Sequence, residues 1–89
     1  MNFRRINGEE AAELTDSILV SIGAEGDDDA SAGVIWMAEG NIVSDEGPLD
    51  IPAAMALATK LAEEQDKNTV YVLTQPHDLV WKDEWGTVN

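Results

Sequence analysis

The stretch Leu49-Asp50-Ile51-Pro52-Ala53-Ala54-Met55-Ala56-Leu57-Ala58-Thr59-Lys60-Leu61-Ala62-Glu63-Glu64-Gln65 decides how the rest of the chain is read. At 100° per residue, Ile51, Ala54, Met55, Leu57, Ala58, Leu61 and Ala62 gather on one side, with Thr59, Lys60, Glu63 and Glu64 opposite. That spacing predicts an amphipathic helix whose apolar stripe must be covered. Asp50 is suited to cap its first turn, and Pro52 sits where a missing N–H costs little. Asp66-Lys67-Asn68 breaks the apolar period, and Asn68 tolerates the left-handed conformation that ends many helices. The alanines make the stripe shallow, so a sheet can approach closely.

Upstream, Asn7-Gly8-Glu9-Glu10 has the form of a capping box. A wheel over residues 8–22 collects Ala11, Leu14, Thr15, Ile18, Leu19 and Ile22 on one side, with Gly23 as the stop. The competing reading makes Ser17-Ile18-Leu19-Val20-Ser21-Ile22 a strand, because it is rich in β-branched residues. The wheel accounts for more of these residues, so a helix is expected. Residues 23–33 are small, acidic and turn-forming, and read as a surface loop.

Val34-Ile35-Trp36-Met37-Ala38 is short and continuously apolar, which predicts a strand, and Gly40-Asn41 after it is a favoured hairpin turn. Ile42-Val43-Ser44 would return, and Asp45-Glu46-Gly47-Pro48 would break the sheet before the organising helix. Beyond that helix, Thr69-Val70-Tyr71-Val72-Leu73-Thr74 is the clearest strand. A turn through Gln75-Pro76-His77-Asp78 would bring Leu79-Val80-Trp81-Lys82 back beside it. Phe3 to Ile6 could add an edge strand. The expected fold is therefore α+β: a two-layer sandwich in the order helix, hairpin, helix, hairpin (αββαββ), with about four strands and the helices on one face. Residues 1–89 are expected to form one small acidic domain.

Composition narrows function mainly by exclusion. With no cysteine, disulfides, thiolate metal sites and cysteine nucleophiles are ruled out. Eighteen carboxylates against five basic side chains give a formal charge of −13, which repels phosphate backbones and anionic membranes. Neither direct nucleic-acid binding nor membrane association is expected. Polar residues follow Met1–Arg5 where a secretory signal would need an apolar run, so a cytoplasmic location is expected.

Candidate chemistry is sparse. Counted from Asp28, Gly33, Ile35 and Glu39 fall at the sixth, eighth and twelfth places of a calcium loop, but Ala30 and Ala32 occupy places that need oxygen ligands. Asp27, Asp28 and Asp29 are left as weak cation candidates. His77 is the single histidine and falls in an expected turn, without a nucleophile identified near it. No phosphate-binding glycine loop, Gly-x-Ser-x-Gly or His-Glu-x-x-His is present, so no cofactor is expected and nothing argues for an enzyme.

Leu79, Trp81 and Trp85 share one face if residues 79–85 are extended, and form the candidate contact surface. The resulting expectation is a non-enzymatic interaction or accessory module that binds a protein partner or its own copies. The alternative is an acidic mimic of nucleic acid that occupies the basic groove of a DNA-binding protein.

Overall fold

A computed structural model describes residues 2–25 and 29–75. The organising helix forms as its sequence dictates, here α2 (Ile51–Glu64). The Asp50 carboxylate accepts a 2.7 Å hydrogen bond from the Ala53 N–H, satisfying one of the donors that a helix start leaves open. Ile51, Ala54, Met55, Ala58 and Ala62 are buried, with Leu57 and Leu61 packed at the margin of the same core. At the far end Asp66, not Asn68, takes the left-handed conformation (φ 55°). It lets the Lys67 N–H reach the Ala62 carbonyl at 2.8 Å, and the Asp66 N–H donate to Glu63 at 3.4 Å.

The first expected helix is largely overturned. Asn7 does cap a helix, accepting from the Glu10 N–H at 2.8 Å, but α1 (Gly8–Ala12) is one short segment with no buried residue. From Ser17 the chain is strand β2 (Ser17–Glu25), paired on both sides. Ile18, Val20 and Ile22 enter the α2 core while Leu19 is buried outside it. A central strand covered on both faces carries an apolar run rather than strict alternation, which is why the wheel imitates a helix here.

Nor are residues 23–25 and 29–33 a loop. Gly23–Glu25 prolong β2, and β3 (Asp29–Ala38) starts opposite, with Gly23 beside Ser31 and Glu25 beside Asp29. Small residues serve close packing here: Ala32 is buried in the core, and a Cβ built on Gly47 of the neighbouring chain segment would lie 3.0 Å from the Ala32 carbonyl oxygen and from Gly33 Cα.

The following turn is Glu39-Gly40, one residue earlier than Gly40-Asn41, with φ of 54° and 79° and Ala38 paired to Asn41. Strand β4 (Asn41–Leu49) then runs straight through Asp45–Pro48, which the sequence reading made a breaker. The pairing slips near Val43, and again between Glu46 and Leu49. An edge strand accommodates both slips and a proline because its outer side carries no ladder among the described residues.

Five strands, with β1 (Asn2–Ile6) and β5 (Thr69–Gln75) completing the set, form one mixed sheet in the order β1-β5-β2-β3-β4. The edge strand expected at Phe3–Ile6 is present as β1. The αββαββ sandwich of about four strands is not the architecture: among the described residues the order is β-α-β-β-β-α-β. β5 lies between β1 and β2 and runs parallel to both. Neither side of it is open to the returning strand expected from residues 79–82, which lie outside the described residues.

Two connections skip over intervening strands, β1 to β2 across β5, and β4 to β5 across β3 and β2. They travel in opposite directions along the sheet, so the right-handed rule for parallel crossovers assigns α1 and α2 to opposite faces, not to one. Burial agrees with this: Ile6 and Leu19 are covered, yet neither belongs to the core beneath α2.

Candidate interaction edge

The geometry that stands out lies at the two margins of the sheet. β4 pairs only with β3 among the described residues, and its side chains are exposed or half-buried along its length. Ile42 and Val43 are the exposed large hydrophobic residues among those described, at 63% and 52%. Asp45 and Glu46 follow on the same strand, both exposed. On the opposite margin β1 carries Arg4 and Arg5.

The strand registers connect these margins. Arg4 lies beside Tyr71, Tyr71 beside Leu19, Leu19 beside Ile35, and Ile35 beside Asp45. The adjacent row runs Arg5, Val72, Val20, Val34, Glu46. Residues in one row share a sheet face, and neighbouring rows face opposite ways. Each row thus begins in an arginine and ends in a carboxylate.

Arg4 is solvated, its side chain 63% exposed, with Nη2 3.8 Å from Glu10 Oε2. Arg5 is half-buried, and its guanidinium donates to the Thr74 hydroxyl from Nε at 3.2 Å and Nη2 at 2.8 Å. An unpaired strand edge offers its backbone N–H and C=O groups to another polypeptide. The side chains beside it then set which segment fits.

Most residues singled out from the sequence fall elsewhere. Leu79, Trp81, Trp85, His77, Asp27 and Asp28 lie outside the described residues. Asp29 is the first residue of β3 and pairs with Glu25. Of the residues counted into the calcium pattern, Asp29 to Ala38 form a strand, and Glu39 sits in the next turn, donating its N–H to Asp16 Oδ1 at 3.1 Å. A loop that wraps a cation needs a chain that curls around it. Among the described residues no three histidine, aspartate or glutamate side chains converge on a point where a metal ion could sit. Trp36 is half-buried against the core, in a packing place.

What sequence reasoning missed is the β4 edge. Ile42-Val43-Ser44 was legible as a strand, but its outermost place depends on the order of all five strands. No helix among the described residues is long and apolar enough to cross a membrane. No family model matches this chain, and neither does any curated protein or solved structure.

Proposed function

We propose that this chain is a non-enzymatic protein-interaction module that receives an extended strand of another polypeptide along β4. The observation that carries the reading is the exposure of Ile42 and Val43 on a strand with one unoccupied side among the described residues. β-Strand addition combines main-chain hydrogen bonds for affinity with side-chain contacts for specificity. Asp45 and Glu46 favour a segment that carries basic residues. Leu79, Trp81 and Trp85 are proposed as a second contact, since tryptophan is enriched where binding energy concentrates.

The test is retention of a partner from a cell extract on the immobilised chain, followed by amide hydrogen exchange on the recovered complex. Expected is slowed exchange in Asn41–Glu46, with retention lost in the Ile42→Asp, Val43→Asp double variant and reduced in the Trp81→Ala, Trp85→Ala variant. Retention that survives the double change on β4 overturns the reading. Acidic mimicry of nucleic acid gives a different result: a basic DNA-binding partner that is released as salt rises, whatever stands at Ile42 and Val43.

A further inference from the structure

We infer that copies of this chain join head to tail through their sheet margins, β1 of one copy adding in parallel to β4 of the next, with Arg4 beside the neighbour's Asp45 and Arg5 beside its Glu46. The inference rests on the reading of β4 as a receiving edge and names its occupant as a second copy. Three features support it.

Direction comes first. β1, β5 and β2 are parallel, and β2 to β3 and β3 to β4 are antiparallel steps, so β1 and β4 point the same way. A copy displaced along the sheet therefore presents β1 to β4 as a parallel pair.

Charge and register come second. Because Arg4 and Asp45 end one row and Arg5 and Glu46 end the next, in-register addition matches opposite charges on both faces at once. Two-fold contacts do the reverse. A two-fold pair of β4 strands centred on Asp45 and Glu46 sets carboxylate beside carboxylate, a two-fold pair of β1 strands centred on Arg4 and Arg5 sets arginine beside arginine, and like charges directly opposite one another are destabilising. A net charge of −13 opposes association in general, so a contact between copies needs its few cations placed against carboxylates, and β1 holds two of the five.

Length comes third. Between the register slips of β4 the regular run is Ser44-Asp45-Glu46, and in row order it meets Phe3-Arg4-Arg5 of the five-residue β1. The contact is short. Assembly is therefore concentration-dependent, and because the two surfaces differ, it grows as a ring or an open chain rather than stopping at a two-fold dimer.

The experiment is sedimentation velocity on the full chain from ~10 μM to ~1 mM, a range that reads weak to moderate affinities. The weight-average mass of the unaltered chain is expected to rise at least about twofold above 9.6 kDa. Arg4→Glu alone and Asp45→Lys alone are each expected to stay monomeric, with circular dichroism showing both folded. An equimolar mixture of the two is expected to assemble again: the glutamate placed at position 4 meets the lysine placed at position 45, and the native Arg4 and Asp45 meet at alternate contacts.

A monomeric native chain overturns the inference, and so does assembly of the single variants at the native level, or a mixture that fails to recover. A monomer also covers the case in which residues 76–89 of the same chain occupy one margin. A native monomer that still retains a different protein along Asn41–Glu46 overturns this inference and leaves the proposed function standing. If that retention fails too, both fall.

Discussion

The Arg5 guanidinium donates twice to the Thr74 hydroxyl, tying edge strand β1 to the end of β5 on the face that Val70 and Val72 share. Thr74 is the buried polar residue among those described, at 1% exposure. A buried hydroxyl needs its partners, and a bond to a charged donor is worth about 1.5–3 kcal/mol. Thr74→Val keeps the shape and removes the acceptor. It is expected to lower stability by about 1–3 kcal/mol in urea unfolding, whereas Thr74→Ser, which keeps the oxygen, should recover most of that loss. A Thr74→Val variant as stable as the native chain would show that the hydroxyl contributes nothing net.

Ile42 and Ile18 are the same residue type in opposite situations, one on the open edge and one fully buried. Ile42→Ala is expected to change stability by no more than about 0.5 kcal/mol, because the side chain is already mostly in water. Ile18→Ala should cost about 2–5 kcal/mol, a large part of the ~5–15 kcal/mol that holds a small domain folded. Thermal unfolding of both variants checks the contrast. A large loss at Ile42 would mean that the edge is covered, which removes the ground for the proposed function.

Asp50 joins the end of β4 to the start of α2 through its bond to the Ala53 N–H. Asp50→Ala is expected to cost about 0.5–2 kcal/mol, and Asp50→Asn much less, since asparagine caps about as well. Because α2 supplies five buried residues to the core, the loss should appear as cooperative unfolding of the whole domain rather than local fraying of the helix. In a Trp81→Phe, Trp85→Phe background, chemical denaturation followed at once by far-ultraviolet circular dichroism and by fluorescence of the half-buried Trp36 tests this, and separated transitions would contradict it.

The contrast between α2 and β2 shows which parts of the fold can be read from the chain. α2 declares itself locally: the cap, the proline and the apolar spacing all fall within seventeen consecutive residues. β2 does not, because its Ile-Leu-Val run reflects cover on both faces, and α2, which packs on one of them, is remote in sequence, as is its ladder partner β5. The small residues around Gly23 and Ala32 mislead for a related reason. Read alone they suggest a flexible loop, while in the fold their backbones are held by strand pairing, and Ala32 and Gly33 lie where β4 approaches closely at Gly47. The Arg4 to Asp45 row is least legible, since it exists only after four registers are fixed in sequence. The candidate site read from the sequence rested on aromatic residues near the C-terminus, and the edge seen in the fold rests on strand order.

The Glu39-Gly40 turn holds strain that substitution can relieve. Both residues have positive φ, the requirement of the tight two-residue turn whose twist suits a hairpin. Gly40 adopts such values freely, but at Glu39 the side chain crowds the backbone at φ 54°. Asparagine tolerates this region better, and Asn-Gly is the favoured pair for the turn. Glu39→Asn should therefore raise stability by about 0.5–1 kcal/mol, and Gly40→Ala should lower it by about 1 kcal/mol or more. The bond that the Glu39 N–H makes to Asp16 uses the backbone and survives the exchange of side chain. The urea midpoint measures both effects with an unchanged slope as the control. Glu39→Asn is the sharper test, because a stabilising change at an exposed site comes from backbone conformation here, and a neutral or destabilising result would show that the left-handed conformation at Glu39 carries little strain.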